Sequence, residues 1–238
     1  MGVCRLALCA TASLLAANPV WPQAYPAKPI LVVSTASPGS SGDAALRLMA
    51  AKMSASLGQP VVVELKTAAR GAQAAQALAR AGADGYTITY GTSGTYVNAR
   101  FLFKNLAFDV LKDFAPISLA ISSPSYVAVH VSVPANSLQE LIDYAKRNPG
   151  KLEYSSSGVG SVFHLAGESL KLYAGIDLLH VPYAQANFPQ MVNDWASGRV
   201  ALWFPTYAFL VPNMPKVRPL AIVDSQRSAR MPDVPTVA

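Results

Sequence analysis

The chain has 238 residues, of which 52% are hydrophobic and 13% are charged, and its formal net charge of +6 is spread along the sequence. This length suits one large domain or two small ones. A nucleic-acid-binding protein would cluster its Lys and Arg residues with aromatic residues, and the sequence has no such cluster. Composition therefore argues against a nucleic-acid partner, while the positive balance favours small anions as ligands.

Residues 1–24 differ in composition from the rest of the chain. Arg5 is their only charged residue, and Leu6 to Ala17 form an apolar run as long as the hydrophobic region of a secretory signal. The run is too short to span a bilayer. We predict a signal peptide over residues 1–24, with a buried N-terminal helix as the alternative. Both cysteines lie in this segment, so the mature chain would have no disulfide and no thiol for catalysis or metal binding.

Strand and helix patterns alternate between residues 25 and 100. Buried apolar runs predict strands over Ile30–Ser34, Val61–Leu65 and Tyr86–Tyr90. Helical spacing predicts one helix that Asp43 opens and Gly58 ends, and an alanine-rich helix over Ala72–Ala81. This alternation predicts a parallel sheet covered by helices, which forms a first αβ lobe.

A second αβ unit follows over residues 101–218. Its predicted strands are Phe114–Ile121, Tyr126–Val131, Leu152–Ser155, Leu178–Val181, Val200–Phe204 and, just beyond, Leu220–Val223. A capping box at Ser137 opens one predicted helix. Two more helices are predicted to begin near Ser161 and Asn187. The fold class is therefore α/β with two lobes.

Small, hydrogen-bonding residues follow three of the predicted strands, in the loops 35–43, 91–95 and 155–161. Glycine lets the backbone approach a ligand closely, and the N–H groups of a helix's first turn attract anions. In open α/β sheets, ligands bind at the carboxyl ends of the strands. The loops predict a site that holds a carboxylate or phosphate with mainly neutral hydrogen bonds. The alternative is that the glycines only relieve crowding between strand and helix.

Catalytic patterns are weak in this sequence. His164 and Glu168 stand four residues apart on a predicted helix, which suits an acid–base or metal fragment but is more typical of a surface pair. A secreted hydrolase could use Ser157 or Ser161 with His164, but no nucleophile elbow is present. Neither a P-loop nor a dinucleotide fingerprint occurs. We predict no catalytic residue, no metal site and no cofactor.

A series of short motifs in register resembles one family. The motifs are Tyr25-Pro26-x-Lys28-Pro29-Ile30, Ser37-Pro38-Gly39 with Asp43, Gly58-Gln59-Pro60, Asp84-Gly85-Tyr86-Thr87, Asp113-Phe114-Ala115-Pro116-Ile117, Asn148-Pro149-Gly150-Lys151-Leu152, Ser157-Gly158-x-Gly160-Ser161-x-x-His164-Leu165, His180-Val181-Pro182-Tyr183 and Pro232-Asp233-Val234-Pro235-Thr236. Together they resemble the extracytoplasmic solute receptors of tripartite tricarboxylate transporters, the Bug family. The resemblance covers essentially the whole chain from Tyr25.

The resemblance implies a type II periplasmic-binding-protein fold whose two lobes enclose a ligand cleft. It further implies a periplasmic, monomeric receptor that holds a small carboxylate and delivers it transiently to a membrane permease. Carried over to matching positions, the ligand-binding residues would be Ser37, Pro38, Gly39, Asp43, Ser157, Gly158, Gly160, Ser161 and His164, with Ser93 and Tyr183 added less directly. From the residues alone, Asp43 also suits a helix cap, and Tyr183 also suits a core position.

The sequence departs from the family in its loops and in its length. Thr35 to Ser40 are smaller and more polar than usual, and Ala184-Gln185 replaces the common Lys-Gly. These departures leave the identity of the ligand open. Family members continue beyond the Pro232–Thr236 motif, so we expect residues 219–238 to return toward a first lobe that is incomplete. A shortened, non-binding copy is therefore a further alternative.

Overall fold

The structure is a computed structural model that describes residues 25–67, 71–102, 104, 106 and 108–237. The signal peptide predicted for residues 1–24 lies outside these residues. The strands are β1 Ile30–Ser34, β2 Val61–Leu65, β3 Thr87–Tyr90, β4 Ser125–His130, β5 Glu153–Ser156, β6 Leu179–Pro182, β7 Leu202–Trp203 and β8 Val217–Val223. The α-helices are α1 Ser41–Leu57, α2 Ala72–Ala79, α3 Ala99–Leu102, α4 Leu138–Arg147, α5 Val162–Ala174, α6 Phe188–Ala196 and α7 Tyr207–Leu210.

The first lobe is built on a parallel sheet in the order β2-β1-β3, as its strand–helix alternation predicts. The central strand β1 contributes the buried residues Ile30, Val32 and Val33 to the core. Helix α1 begins where the Ser40 hydroxyl accepts a hydrogen bond from the Asp43 N–H, and it ends at Gly58 in the left-handed conformation. Because β1, β2 and β3 are parallel, all three strands end at the same edge of this sheet.

The second lobe has a mixed sheet in the order β6-β5-β7-β4-β8. Strand β5 runs parallel to β6 and β7, whereas β4 runs antiparallel to β7 and β8. Alternate residues of β4 face opposite sides, so Tyr126 and Ala128 join one buried cluster while Val127 and Val129 join the other. Pro219 is tolerated because β8 is an edge strand.

The strand predicted over Phe114–Ile121 is wrong, because these residues form no strand in the structure. The segment is apolar, yet Ile117 and Leu119 are 78% and 82% exposed. Among the described residues β3 pairs only with β1, and no strand lies beside its other edge. A β conformation is stabilised by ladder hydrogen bonds and cross-strand packing, which the hydrophobic pattern alone cannot supply.

Several boundaries and short elements also differ from the expectations. Strand β7 is shorter than predicted, and a π-helical turn at Gly94–Asn98 leads into α3 where only a loop was expected. The boundary expected at residue 218 falls inside β8, so the residues up to Val223 belong to the second sheet. Within the described ranges, every helix is either too short or too polar to cross a membrane.

Candidate functional site

The carboxyl ends of β1, β3 and β5 open onto one cavity of about 770 Å³. Both lobes contribute to its wall, because β1 and β3 of the first sheet and β5 of the second end at this cavity. The polar lining residues are Thr35, Ser37, Ser40, Ser41, Thr89, Tyr90, Thr92, Ser93, Thr95, Ser118, Ser123, Ser125, Ser157, Ser161, Gln185 and Thr206. The described residues place no charged side chain in this lining. A ligand here would meet hydroxyl, amide and backbone groups beside a larger apolar surface that includes Leu46, Met49, Met53 and Phe163.

The loops of the two lobes approach one another closely at two points. The Asn98 side-chain amide of the first lobe donates a 3.2 Å hydrogen bond to the Gly160 carbonyl of the second. On the other side, a β-carbon at Gly39 would lie 3.8 Å from Pro189 of helix α6. The loops 37–43 and 157–161 therefore lie on one shared crevice.

Asp43 holds the first-lobe loop in shape. Its carboxylate is 6% exposed and accepts hydrogen bonds from the Gly39 N–H at 3.0 Å and from Arg47 Nε at 2.9 Å. Gly39 has a positive φ of 73°, a conformation in which glycine is favoured. Asp43 is not among the cavity-lining residues. Of the two interpretations from the sequence, the geometry favours the cap that braces the loop.

Replacing Asp43 with alanine is expected to lower the free energy of unfolding by about 1–3 kcal/mol, because the Gly39 N–H loses its partly buried hydrogen bond to a charged carboxylate. Arg47→Met is the matched control, since it removes only the ion pair with the exposed arginine and should cost less than about 1 kcal/mol. Chemical denaturation of both variants measures the difference. Equal destabilisation would show that the ion pair, and not the Gly39 hydrogen bond, is what Asp43 contributes.

The second-lobe loop is shaped by two serine–histidine contacts. The Ser156 hydroxyl lies 2.6 Å from His180 Nε2 and also accepts a hydrogen bond from the Gly158 N–H. One turn further on, the Ser161 hydroxyl caps α5 by accepting from the His164 N–H, while His164 Nδ1 accepts from the Gly160 N–H. Both histidines support the loop from behind.

His180 is packed into an aromatic stack beneath the loop. Its ring lies 4.9 Å from the ring of Tyr154 and 4.5 Å from that of His164, measured between centroids. Burial, and then repulsion from His164, lower the pKa of His180 below its ordinary value, and Glu168 opposes this only in part. The neutral imidazole is therefore the form that the folded loop favours.

The lowered pKa of His180 predicts that acid destabilises the fold. Below about pH 6.5 the unfolded chain protonates this histidine while the folded chain still resists protonation, so stability falls as the pH decreases through that window. In His180→Gln that contribution is absent. Thermal unfolding at pH 7.5 and pH 5.0 should show a smaller loss of Tm for the variant than for the wild type. Equal losses of Tm in the variant and in the wild type would exclude His180 as the source of the acid sensitivity.

Some of the site residues predicted from the sequence line the cavity, and the others do not. Those that line it are Ser37, Ser93, Ser157, Gly160 and Ser161. Pro38, Gly39, Asp43 and Gly158 lie in the same loops, and His164 lies in the first turn of α5, but all five are outside the lining. Their placement suits a role in shaping the loops. Contact of any of these residues with a ligand remains a prediction.

Tyr183 also lies outside the cavity lining, and its hydroxyl donates a 2.8 Å hydrogen bond to Asp194. Burial, together with this hydrogen bond, raises the pKa of Tyr183 to about 12. Arg199 donates to the other carboxylate oxygen of Asp194 at 2.9 Å. Of the two interpretations of Tyr183 from the sequence, the geometry favours the packed position over the cleft wall.

Sequence reasoning missed several polar residues near this cavity, among them Gln185, Thr206 and Asn98. Gln185 and Thr206 line it, and Asn98 links the lobes beside it. Thr206 follows the end of β7 just as Ser157 follows the end of β5, so the strand-end rule could have identified it. Asn98 lies in a π-helical turn that no sequence signal announces.

Neither observed serine–histidine contact, Ser156 with His180 or Ser161 with His164, is arranged as a nucleophile and its base at the cavity. Ser156 is fully buried and does not line the cavity, so its hydroxyl cannot reach a molecule bound there. Ser161 lines the cavity, but its hydroxyl accepts the N–H of His164 as a helix cap. The His164 Nδ1 that a base would use already accepts the Gly160 N–H. The geometry supports binding more directly than it supports hydrolysis.

The chain is similar to proteins of known family. Residues 45–238 match the family described as "Tripartite tricarboxylate transporter family receptor". A UPF0065 protein encoded in the tcbD-tcbE intergenic region of Pseudomonas sp. strain P51 is 34% identical over 217 residues, which cover 90% of this chain and 64% of that protein. The chain spans 53–64% of the length of three such curated relatives.

Solved structures show the same architecture. Rpa4515 of R. palustris with adipate matches with a TM-score of 0.83 and 32% identity, over 90% of this chain and 71% of that one. MatC of Rhodopseudomonas palustris with bound malate matches with a TM-score of 0.79 and 30% identity, over 89% and 72%. The fold is that of the periplasmic binding proteins. The chain belongs to the receptor family of the tripartite tricarboxylate transporters.

Proposed function

We propose that this protein is a periplasmic solute-binding receptor that captures a small carboxylate for a tripartite tricarboxylate-type transporter. The observation that carries the proposal is the shared cavity, where hydroxyl-bearing loops of both lobes meet and the described residues contribute no charged side chain. A cleft of this kind needs no chemistry of its own. Its function is to bind the carboxylate, hold it and release it.

The N-terminal end of helix α5 has the feature that favours an anion. Ser161 caps this 13-residue helix, and Val162 and Phe163 are its first two residues. All three line the cavity. The first N–H groups of a helix have no intrahelical acceptor, and the helix dipole places partial positive charge at the same end. A carboxylate beside the first turn of α5 would be stabilised by both effects. Serine hydroxyls of the opposite loop would complete the contacts.

The family relationship supports the same class of ligand. Rpa4515 is solved with adipate and MatC with malate, and both ligands are small carboxylates. We extend that class to this chain because its cavity meets the requirements of an anion without a cationic side chain. Export to the periplasm, action as a monomer and transient contact with a membrane permease belong to the same proposal. The apolar run within residues 1–24 supports export.

Ligand-induced thermal stabilisation tests the proposal. The purified protein is heated with acids of three to eight carbons, including adipate and malate, and with the neutral amide of each acid. Binding to the folded state raises Tm according to mass action, so at least one acid should raise it while its amide does not. A cooperatively unfolding protein that responds to no acid, or equally to acids and amides, would contradict the proposal.

Two serine variants locate the site. Ser37→Ala and Ser157→Ala each remove a cavity hydroxyl and should lower the affinity for the best acid by about two- to tenfold. Ser56→Ala is the matched control, because Ser56 is exposed on α1 away from the cavity lining. Isothermal titration calorimetry compares the three variants. Unchanged affinity in both cavity variants would place the carboxylate elsewhere.

A further inference from the structure

The larger part of the cavity wall is apolar, and much of it lies along helix α1. After Ser41 at its start, α1 contributes four apolar residues to the lining, which are Leu46, Met49, Ala50 and Met53. Their separations of three, four and seven residues place them on one face of the helix. Because an α-helix rises about 1.5 Å per residue, the lining extends about 18 Å along α1 from Ser41 to Met53.

The first sheet and the segment after Phe114 contribute further apolar residues to the same wall. Val32 of β1 and Ile88 of β3 are paired neighbours in the sheet, and both line the cavity. Ile117 and Leu119 also line it, although they are 78% and 82% exposed. Covering apolar side chains that water now reaches is favourable. A bound carbon chain would provide such cover.

The two parts of the cavity suit different chemical groups. The part beside Ser157, Ser161 and the start of α5 offers the hydrogen-bond donors that a carboxylate needs. By contrast, none of the four α1 side chains, nor those of Val32 and Ile88, can donate a hydrogen bond. A second carboxylate beside them would lose water without gaining a donor, whereas methylene groups would be stabilised. The cavity is therefore suited to a ligand with one charged end and one apolar end.

We propose that the preferred ligand is an amphipathic monocarboxylate, whose carboxylate lies at the start of α5 and whose apolar carbon chain lies along α1. This inference rests on the proposed function, which supplies the position of the carboxylate. Met49 and Met53 are half-buried and line the far part of the α1 face. Methionine is unbranched and flexible, so it can pack against carbon chains of different shape. Met49 and Met53 thus determine specificity.

A matched series of acids tests the chain preference. Affinities of the purified protein are measured by calorimetry for butanoate, hexanoate and octanoate, and for suberate, which adds a second carboxylate at the far end of the octanoate chain. Each methylene moved from water to the apolar wall should increase the affinity about two- to fourfold, so octanoate should bind at least about tenfold more tightly than butanoate. Suberate should bind at least about tenfold more weakly than octanoate. If affinity does not rise with chain length, or if suberate equals octanoate, the inference is overturned while the receptor function stands.

Two methionine variants locate the carbon chain. Met49→Gln and Met53→Gln keep the side-chain length but make the wall polar, so each should lower the affinity for octanoate about fivefold or more. Their affinity for butanoate should stay within about twofold of the wild type, which also shows that the variants are folded.

Leu172→Gln is the control for adsorption of octanoate to exposed apolar side chains. Leu172 is 76% exposed on α5 and does not line the cavity, so this substitution should leave the affinity for octanoate unchanged. The inference is overturned if both methionine variants keep the wild-type affinity for octanoate, or if the control loses as much affinity as they do. Failure of every acid to bind would contradict the proposed function itself, and with it this inference.

Discussion

Replacing Gly160 with alanine is expected to lower the affinity for a carboxylate by about tenfold or more while the protein remains folded. Gly160 has a positive φ of 82°, which a side chain strains by about 1 kcal/mol or more. A β-carbon would also overlap the Leu102 side chain at the end of α3. Because the Gly160 carbonyl accepts the hydrogen bond from Asn98, the loop and the link between the lobes would shift together.

Gly175→Ala separates backbone strain from damage to the site. Gly175 ends helix α5, which follows the Gly160 loop, and it has a positive φ of 61°. A β-carbon at Gly175 would meet no atom within 4 Å. Both variants should lose a similar stability from the backbone conformation, but only Gly160→Ala should lose binding. Calorimetric titration with the best acid, alongside thermal unfolding, measures the two effects. Equal affinity in the two variants would mean that the 157–161 loop does not contact the ligand.

Replacing Gly167 with alanine is expected to destabilise the second lobe by about 2 kcal/mol, although alanine favours a helix by about 1 kcal/mol over glycine. Gly167 lies in α5 against Tyr154, and a β-carbon there would overlap the tyrosine ring. The ring cannot move aside easily, because it stacks on His180 and its hydroxyl donates a 2.7 Å hydrogen bond to Glu168. Overpacking therefore exceeds the gain in helix propensity.

A double-mutant cycle identifies the overlap as the cause. In the Tyr154→Leu background the ring is absent, so adding Gly167→Ala should cost much less, or even stabilise the helix. Denaturant unfolding of the two single variants and the double variant gives the coupling energy. The single Gly167→Ala variant should also weaken carboxylate binding, since Tyr154 supports His180 and His180 contacts Ser156 of the loop. If the destabilisation of the double variant equals the sum of the two single substitutions, the overlap with Tyr154 is not the cause.

The elements that the sequence predicted well are those whose signals are local. Strand β1 matches its predicted bounds because a continuous apolar run between turn residues describes a buried strand completely. Helix α4 begins at the predicted capping box, where Ser137 accepts from the Glu140 N–H. The predicted strand at 114–121 was wrong because pairing depends on a neighbour that no local pattern contains. The π-helical turn at Gly94–Asn98 was missed because no residue pattern distinguishes it from a loop.

By itself the sequence determined the α/β class, the strand–helix order and the three small-residue loops, since periodicity and turn chemistry are properties of neighbouring residues. Only the tertiary structure decided that these loops share one cavity. It also decided that Asp43 and His164 brace loops and that Tyr183 pairs with Asp194. Gln185 and Thr206, 21 positions apart in number, line one cavity because β6 and β7 flank β5. Contacts between distant residues depend on strand order, which the local pattern of a sequence does not encode.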